Sequence, residues 1–239
     1  MSTPYRQRKI AQLNVIEKSS SKNGPWIILL HGYGADAADL ASLAQVIPTP
    51  ENINWIFPDA PLKVPIGPHI TGRAWFPIDM AEIEKAMMQG KHRDMSNYTP
   101  SGLARARSLV LEMISELQVP FDDIILGGFS QGAMLSTDIC LRSDILPKGL
   151  VLLSGTLLNK DIWQQFALKR AGLKFFQSHG TADPILGFKQ ANDLNKLLTD
   201  SGLIGSLHAF EGGHEIPPNI ISKLTDYIQL VSNEIRPTM

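Results

Sequence analysis

Short apolar runs alternate with longer amphipathic stretches along most of this chain. The runs Leu13–Glu17, Trp26–Leu30, Asn54–Phe57, Ile124–Gly127, Gly149–Leu153, Leu173–Ser178 and Ser206–Phe210 read as strands. Helical patterns lie between them, over about Ala37–Gln45, Ser101–Leu117, Gln131–Leu141, Leu186–Ser201 and Pro218–Asn233. Strands rich in Ile, Leu and Val that alternate with helices predict an α/β fold. Its mostly parallel central sheet would be covered by helices on both faces. Such sheets place their sites beyond the carboxyl ends of the strands. The segments that carry chemistry fall there: after Leu30, after Gly127 and after Ser178.

The segment Ile78–Tyr98 breaks the rhythm. It sets Met80, Ile83, Met87 and Met88 among charged residues, then continues into Lys91-His92-Arg93-Asp94. It reads as a partly helical insertion over the sheet edge. An apolar stripe of this kind serves most often to pack an amphipathic helix on the core. It also suits a lid or one wall of an acyl pocket, where Met80 and Met87 adapt to varied chains.

Composition narrows the picture. The chain has 239 residues, enough for one domain spanning 1–239 with the insertion at about 78–98. Hydrophobic content of 44% against 19% charged fits a globular enzyme rather than a disordered chain. A formal net charge of -1 argues against general nucleic-acid binding. Cys140 is the one cysteine, so no internal disulfide can form, and a reducing, cytoplasmic compartment is expected. The start, Met1 to Lys9, is polar and basic without a following apolar signal region. Apolar runs are too short to span a bilayer.

The most specific chemical signal is Gly128-Phe129-Ser130-Gln131-Gly132, a Gly-x-Ser-x-Gly pentapeptide between an apolar run and a helical pattern. Strand, sharp turn and helix are the context of a nucleophile elbow. The glycines are expected to let the chain turn tightly. The helix behind would aim free N–H groups and its positive dipole end at an oxyanion.

A serine hydroxyl needs a base, and a histidine suits that role at neutral pH. In the elbow architecture the acid and then the histidine follow the serine, which leaves His179, His208 and His214. His214 sits in the glycine-rich Glu211-Gly212-Gly213-His214-Glu215, after the last strand, whereas His208 lies inside that strand. Asp183, in the loop after the strand ending near Ser178, is the orienting acid that this order selects. Asp183 before Pro184 would also suit an ordinary turn. Asp193 and Asp200 read as solvent-facing helix charges.

Acyl transfer also needs oxyanion donors. The backbone N–H of Gln131 is one. The loop Leu30-His31-Gly32-Tyr33-Gly34-Ala35-Asp36 holds the second position, with the Tyr33 N–H as candidate. His31 reads as a brace for that turn. Metal and nucleotide motifs are missing: no second histidine follows His214-Glu215 at the zinc-protease spacing, and no phosphate loop occurs. The reading is a hydrolase that needs no cofactor or metal.

With these residues together, the chain resembles the phospholipase/carboxylesterase family of α/β-hydrolases, which includes the acyl-protein thioesterases. The resemblance runs from about Pro25 to Ile228. It rests on Leu30–Asp36, Phe57-Pro58-Asp59-Ala60-Pro61, Ala74-Trp75-Phe76, Leu126–Gly132, Ser178–Pro184 and Gly212-Gly213-His214. It implies an α/β-hydrolase fold and a serine esterase acting on carboxylic ester or thioester bonds. The same triad and oxyanion donors follow from it, as do Trp75 and Phe76 as shapers of the acyl site. Small esters, lysophospholipids and acylated proteins all remain open as substrates. Pro77 stands where the family often has aspartate, and the insertion looks long. Both departures lie in the substrate-facing region. Dienelactone hydrolases and peptidases of the same fold, and a non-catalytic ligand-binding member, are the rival readings. Exposed apolar surface on the Met-rich segment suits a homodimer or a membrane edge as well as an acyl chain.

Overall fold

A computed structural model describes residues 4–19, 24–50 and 52–234. Met1–Thr3 of the basic N-terminal segment lie outside them, as do residues 235–239 at the other end.

Eight strands form one sheet. From one edge to the other they are β1 (Arg6–Ile10), β2 (Leu13–Lys18), β4 (Asn54–Pro58), β3 (Trp26–Leu30), β7 (Ile124–Phe129), β8 (Gly149–Leu153), β9 (Lys174–Gly180) and β10 (Ile204–Phe210). β2 pairs antiparallel with β1 and with β4, and every other pairing is parallel. A separate antiparallel hairpin joins β5 (Leu62–Gly67) to β6 (Ile70–Ala74).

The strand β3 shows why the sheet is buried on both faces. Ile27 and Leu29 enter one apolar cluster, and Ile28 and Leu30 enter the other. The pleat sends alternate side chains to opposite faces, so a two-sided strand must be apolar throughout. On one face pack α4 (Leu103–Leu117), α5 (Gln131–Arg142), α6 (Lys160–Ala167) and α7 (Phe188–Asp200). On the other pack α1 (Ala37–Ala41), α2 (Leu43–Val46) and α8 (Pro218–Ser232). The helix expected over Ala37–Gln45 breaks at Ser42, where Gln45 N–H bonds Ser42 O in a tighter turn.

Three elements depart from the sequence reading. β1 is a strand although Arg6-Gln7-Arg8-Lys9 shows no apolar alternation. It is the sheet's edge, with both faces largely in water, and Arg8 Nε pairs with Glu17 of β2 at 2.5 Å. The β5–β6 hairpin is mostly exposed and so leaves little hydrophobic pattern. α6 is a short helix whose Trp163 and Ala167 are buried. The segment 78–98 is partly helical as expected, through α3 (Met80–Met88).

α5 and α6 are tied by a buried carboxylate. Asp138 accepts from Arg107, from Arg142 Nε at 3.0 Å and from Trp163 Nε1 at 3.0 Å, and its side chain is wholly buried. Removing it strands two partly buried guanidinium groups. Asp138→Ala should lose about 3 kcal/mol of stability, read as a lower urea midpoint at unchanged slope.

Candidate active site

The carboxyl ends of β3, β7, β9 and β10 converge on one place. Ser130 stands between β7 and α5 with φ 54° and ψ -115°. A non-glycine residue there carries strain of about 1–3 kcal/mol. Its backbone N–H is held by Leu153 O at 2.8 Å. The flanking glycines serve close packing rather than turning. A Cβ on Gly132 would lie 1.9 Å from Leu30 O, and one on Gly128 would lie 2.4 Å from the same atom. Neither has the positive φ that glycine alone tolerates; Ser130 takes that conformation itself. The elbow is therefore pressed against the end of β3, which carries the next loop.

That loop, Gly32–Ala35, is held by β6. Gly34 N–H donates to Arg73 O at 2.7 Å, and Arg73 N–H donates to Ala35 O at 3.0 Å. Gly34 has φ +83°, and a Cβ on Gly72 would lie 1.9 Å from Gly34 O, so small residues are required on both sides. His31 braces the turn. Its Nδ1 lies 2.7 Å from Gly32 O, and its Nε2 accepts from Ala60 N–H at 3.0 Å. Those partners require the neutral tautomer with the proton on Nδ1. Burial pushes its pKa down, outweighing the Gly32 bond and the nearby carboxylates.

Gln131 links the elbow to β6. Its buried side chain accepts from Trp75 N–H at 2.8 Å and donates to Phe76 O at 2.7 Å. As the first residue of α5, its own N–H has no intrahelical acceptor. Tyr33 and Ser130 border the same cavity.

Asp183 and His214 meet at 2.6 Å, Oδ2 to Nδ1. The other carboxylate oxygen accepts from Ile185 N–H at 2.8 Å and Leu186 N–H at 3.0 Å. His179 lies in β9 rather than in the loop after it. Its Nε2 is 2.8 Å from Leu186 O and 3.3 Å from Asp183 Oδ2. Burial alone would raise the Asp183 pKa. The hydrogen bonds from His179, His214 and Leu186, with the charge of His214, hold it well below the usual carboxylate range. The loops of β9 and β10 are packed backbone to backbone: Ala182 N–H bonds Gly212 O at 3.0 Å, and a Cβ on Gly180 would lie 2.2 Å from Gly213 O. The His214 ring rests 4.7 Å from the Phe129 ring and borders the Ser130 cavity. His208, by contrast, stacks on Phe176 away from that cavity, its pKa lowered by burial and then by Lys223.

The cavity at Ser130 holds about 250 Å³. Tyr33, Ala35 and Asp39 form one side, and Met134, Ile185 and Leu186 another. Ile78, Met80, Ile83 and Met95, from the segment 78–98, also line it. Three substrate-binding expectations need correction. Trp75 and Phe76 do not border the cavity. They are wholly buried, and they reach the site through backbone bonds to Gln131, the Trp75 Nε1 bond to His31 O at 3.0 Å and the contact of the Trp75 and His31 rings. Met87 sits one helical turn beyond Ile83, past the cavity, and is 38% exposed. Ile185, Leu186 and Asp39 escaped sequence reading because only the fold brings them to Ser130; Met134 lies one turn along α5 from Ser130, a spacing that could have identified it. A roomier depression of about 450 Å³ beside Arg8, Asp36 and Asp59 borders neither Ser130 nor His214. Among the described residues no three His, Cys, Asp or Glu side chains gather as a metal site requires.

Known proteins resemble this chain in sequence and in fold. A family model described as phospholipase/carboxylesterase matches residues 11–232. The chain is 35% identical over 188 residues to acyl-protein thioesterase 1 of Debaryomyces hansenii, covering 72% of this chain and 76% of that protein. It is 31% identical over 224 residues to acyl-protein thioesterase 1 of Candida albicans, covering 87% and 90%. In fold it is similar to the crystal structure of esterase PE8, with a TM-score of 0.73 at 23% identity over 96% of this chain and 98% of the other. It is also similar in fold to Zea mays acyl-protein thioesterase 2, with a TM-score of 0.69 at 19% identity over 93% and 100%. The chain thus belongs to the phospholipase/carboxylesterase family of α/β-hydrolases and is a carboxylic ester hydrolase.

Proposed function

We propose that Ser130, His214 and Asp183 form the catalytic triad of an esterase or thioesterase that takes short to medium acyl chains. One observation carries the reading: a buried, ionised Asp183 bonds His214 Nδ1 at 2.6 Å, beside the apolar cavity that Ser130 borders. In that arrangement His214 Nε2 takes the proton of Ser130 Oγ as the oxygen attacks the substrate carbonyl. The N–H groups of Tyr33 and Gln131 stabilise the tetrahedral oxyanion. Collapse breaks the bond to the alcohol or thiol, which leaves with the proton from His214. Water then attacks the acyl-enzyme with His214 again as base, and the acid and free serine are released. Asp183 holds the imidazole in the Nδ1–H tautomer throughout.

The acyl chain lies against Ile83 and against Met80, Met95 and Met134, whose flexible thioethers accommodate differing lengths. The cavity is small for a long lipid chain. The thioesterase relatives add acylated proteins to the substrates worth testing.

Ser130→Ala should lower kcat at least about 10³-fold and abolish fluorophosphonate labelling, with the melting temperature retained; full activity would sink the reading. Across a p-nitrophenyl ester series the wild type should peak between butyrate and octanoate. Met80→Trp, which fills the insertion side of the cavity, should move that peak to shorter chains.

Asp183 also makes a prediction about pH. Its folded pKa lies below its unfolded value of about 4, so its contribution to stability is complete at neutral pH. That contribution is lost as acid carries the pH down through the lower folded value. Asp183→Asn should be less stable than wild type at neutral pH, and the gap should narrow below about pH 4 in paired urea melts. The same variant should lose about 10⁴-fold in kcat, because asparagine no longer enforces the tautomer.

A further inference from the structure

The segment after α3 folds back onto the turn that carries Asp183. His92 is exposed, yet its Nε2 lies 2.8 Å from the backbone oxygen of Asp183. A carbonyl can only accept, so Nε2 bears the proton. The ring sits over Gly187, where a Cβ would lie 2.9 Å from His92 Cγ. Gly187 has φ -64°, a conformation any residue adopts, so the glycine there makes room for the imidazole and for Gln190 Oε1, which would lie 2.4 Å from the same Cβ.

The turn under His92 serves both the acid and the cavity. Ile185 and Leu186 donate their N–H groups to Asp183 Oδ1 and border the cavity with their side chains. From the core side, His179 Nε2 holds Leu186 O at 2.8 Å. His92 is the matching hold from the outer side. Its own segment is well anchored: Arg93 pairs with Glu82 at 2.6 Å and lies over the Tyr98 ring, and Lys160 N–H donates to Ser96 O at 2.7 Å. Met95, three residues on, is wholly buried and faces the cavity.

We propose that His92 is a positioning residue that fastens the acid turn, through Asp183 O, to the insertion wall of the acyl cavity. The carboxylate that orients His214 and the surface that receives the acyl chain are then set as one unit. The proposal rests on the triad reading above. His92 touches no reacting atom; it acts through Asp183.

The test uses the full chain with His92→Ala, His92→Gln and Gly187→Ala, and His92→Ala combined with Asp183→Asn. Glutamine keeps an N–H near the position of Nε2, and alanine at 187 pushes the ring away without removing it. Fluorophosphonate labelling rate, kcat on p-nitrophenyl butyrate and amide hydrogen exchange are followed together. Breaking the hold should cost His92→Ala and Gly187→Ala about fivefold in kcat, with His92→Gln within about twofold of wild type. In the Asp183→Asn background the effect of His92→Ala on labelling should vanish. Exchange over 183–187 and 78–95 should quicken in the two alanine variants alone. Unchanged kcat and exchange in His92→Ala, or an equal loss with Asp183 already replaced, would overturn the proposal. If His92→Ala does not fold, Gly187→Ala and His92→Gln decide the matter by the same measurements. A wild type that is inert to substrate and probe would instead defeat the triad reading, while the exchange comparison still tests the fastening.

Discussion

The active-site architecture depends on how closely the elbow approaches the end of β3. Leu30 O sits where a Cβ on Gly132 or Gly128 would be. This contact presses the start of α5 against the loop that begins at His31. The serine pays with a strained backbone, and Leu153 O holds its N–H in place. Strain of this kind persists only where surrounding structure over-determines it, and here three adjacent strands do so. With the elbow so placed, α5 begins at Gln131, directly after Ser130, and Ser130 shares a cavity with Tyr33.

The elements outside the sheet matter because they brace that contact. The β5–β6 hairpin is largely exposed and adds little to the core. It nonetheless bonds the Tyr33 loop through Arg73 and the elbow through Trp75, Phe76 and the Gln131 amide. The Gln131 side chain satisfies an N–H and a C=O of a neighbouring segment at once, and its backbone N–H, first in α5, takes no intrahelical acceptor. A buried amide with both ends bonded specifies one geometry, since leaving either end unpaired is costly.

Asp183 concentrates the electrostatics. It takes two backbone N–H groups on one oxygen, and His214 with His179 nearby on the other. A buried carboxylate stays charged only with such partners. His179 belongs to the strand and His214 to a loop, so the acid bridges the sheet and the residue proposed as the base. The turn that provides this bridge also lines the cavity at Ser130, so the proposed chemistry and the proposed acyl site share a few residues.

Much of this was legible in the sequence, for physical reasons. β3, β7 and β8 are buried on two faces and must be apolar throughout, so their pattern was plain. Glycines, Ser130, Asp183 and His214 stood at strand ends, where the fold class puts chemistry, and the structure brings Asp183 and His214 into contact beside the Ser130 cavity. β1 and the β5–β6 hairpin were not legible, because strands with water on their faces need no alternation. Nor were the true partners of Trp75 and Phe76, since apolar residues in a core and in a cavity wall look alike along a chain. Only tertiary structure decided that Met80 faces the cavity while Met87 does not, and that His92 reaches Asp183 across 91 residues. Local periodicity marked the buried strands, and the chain itself carried the order of the reactive groups; which side chains share a cavity depends on how distant segments pack, and no local pattern records that.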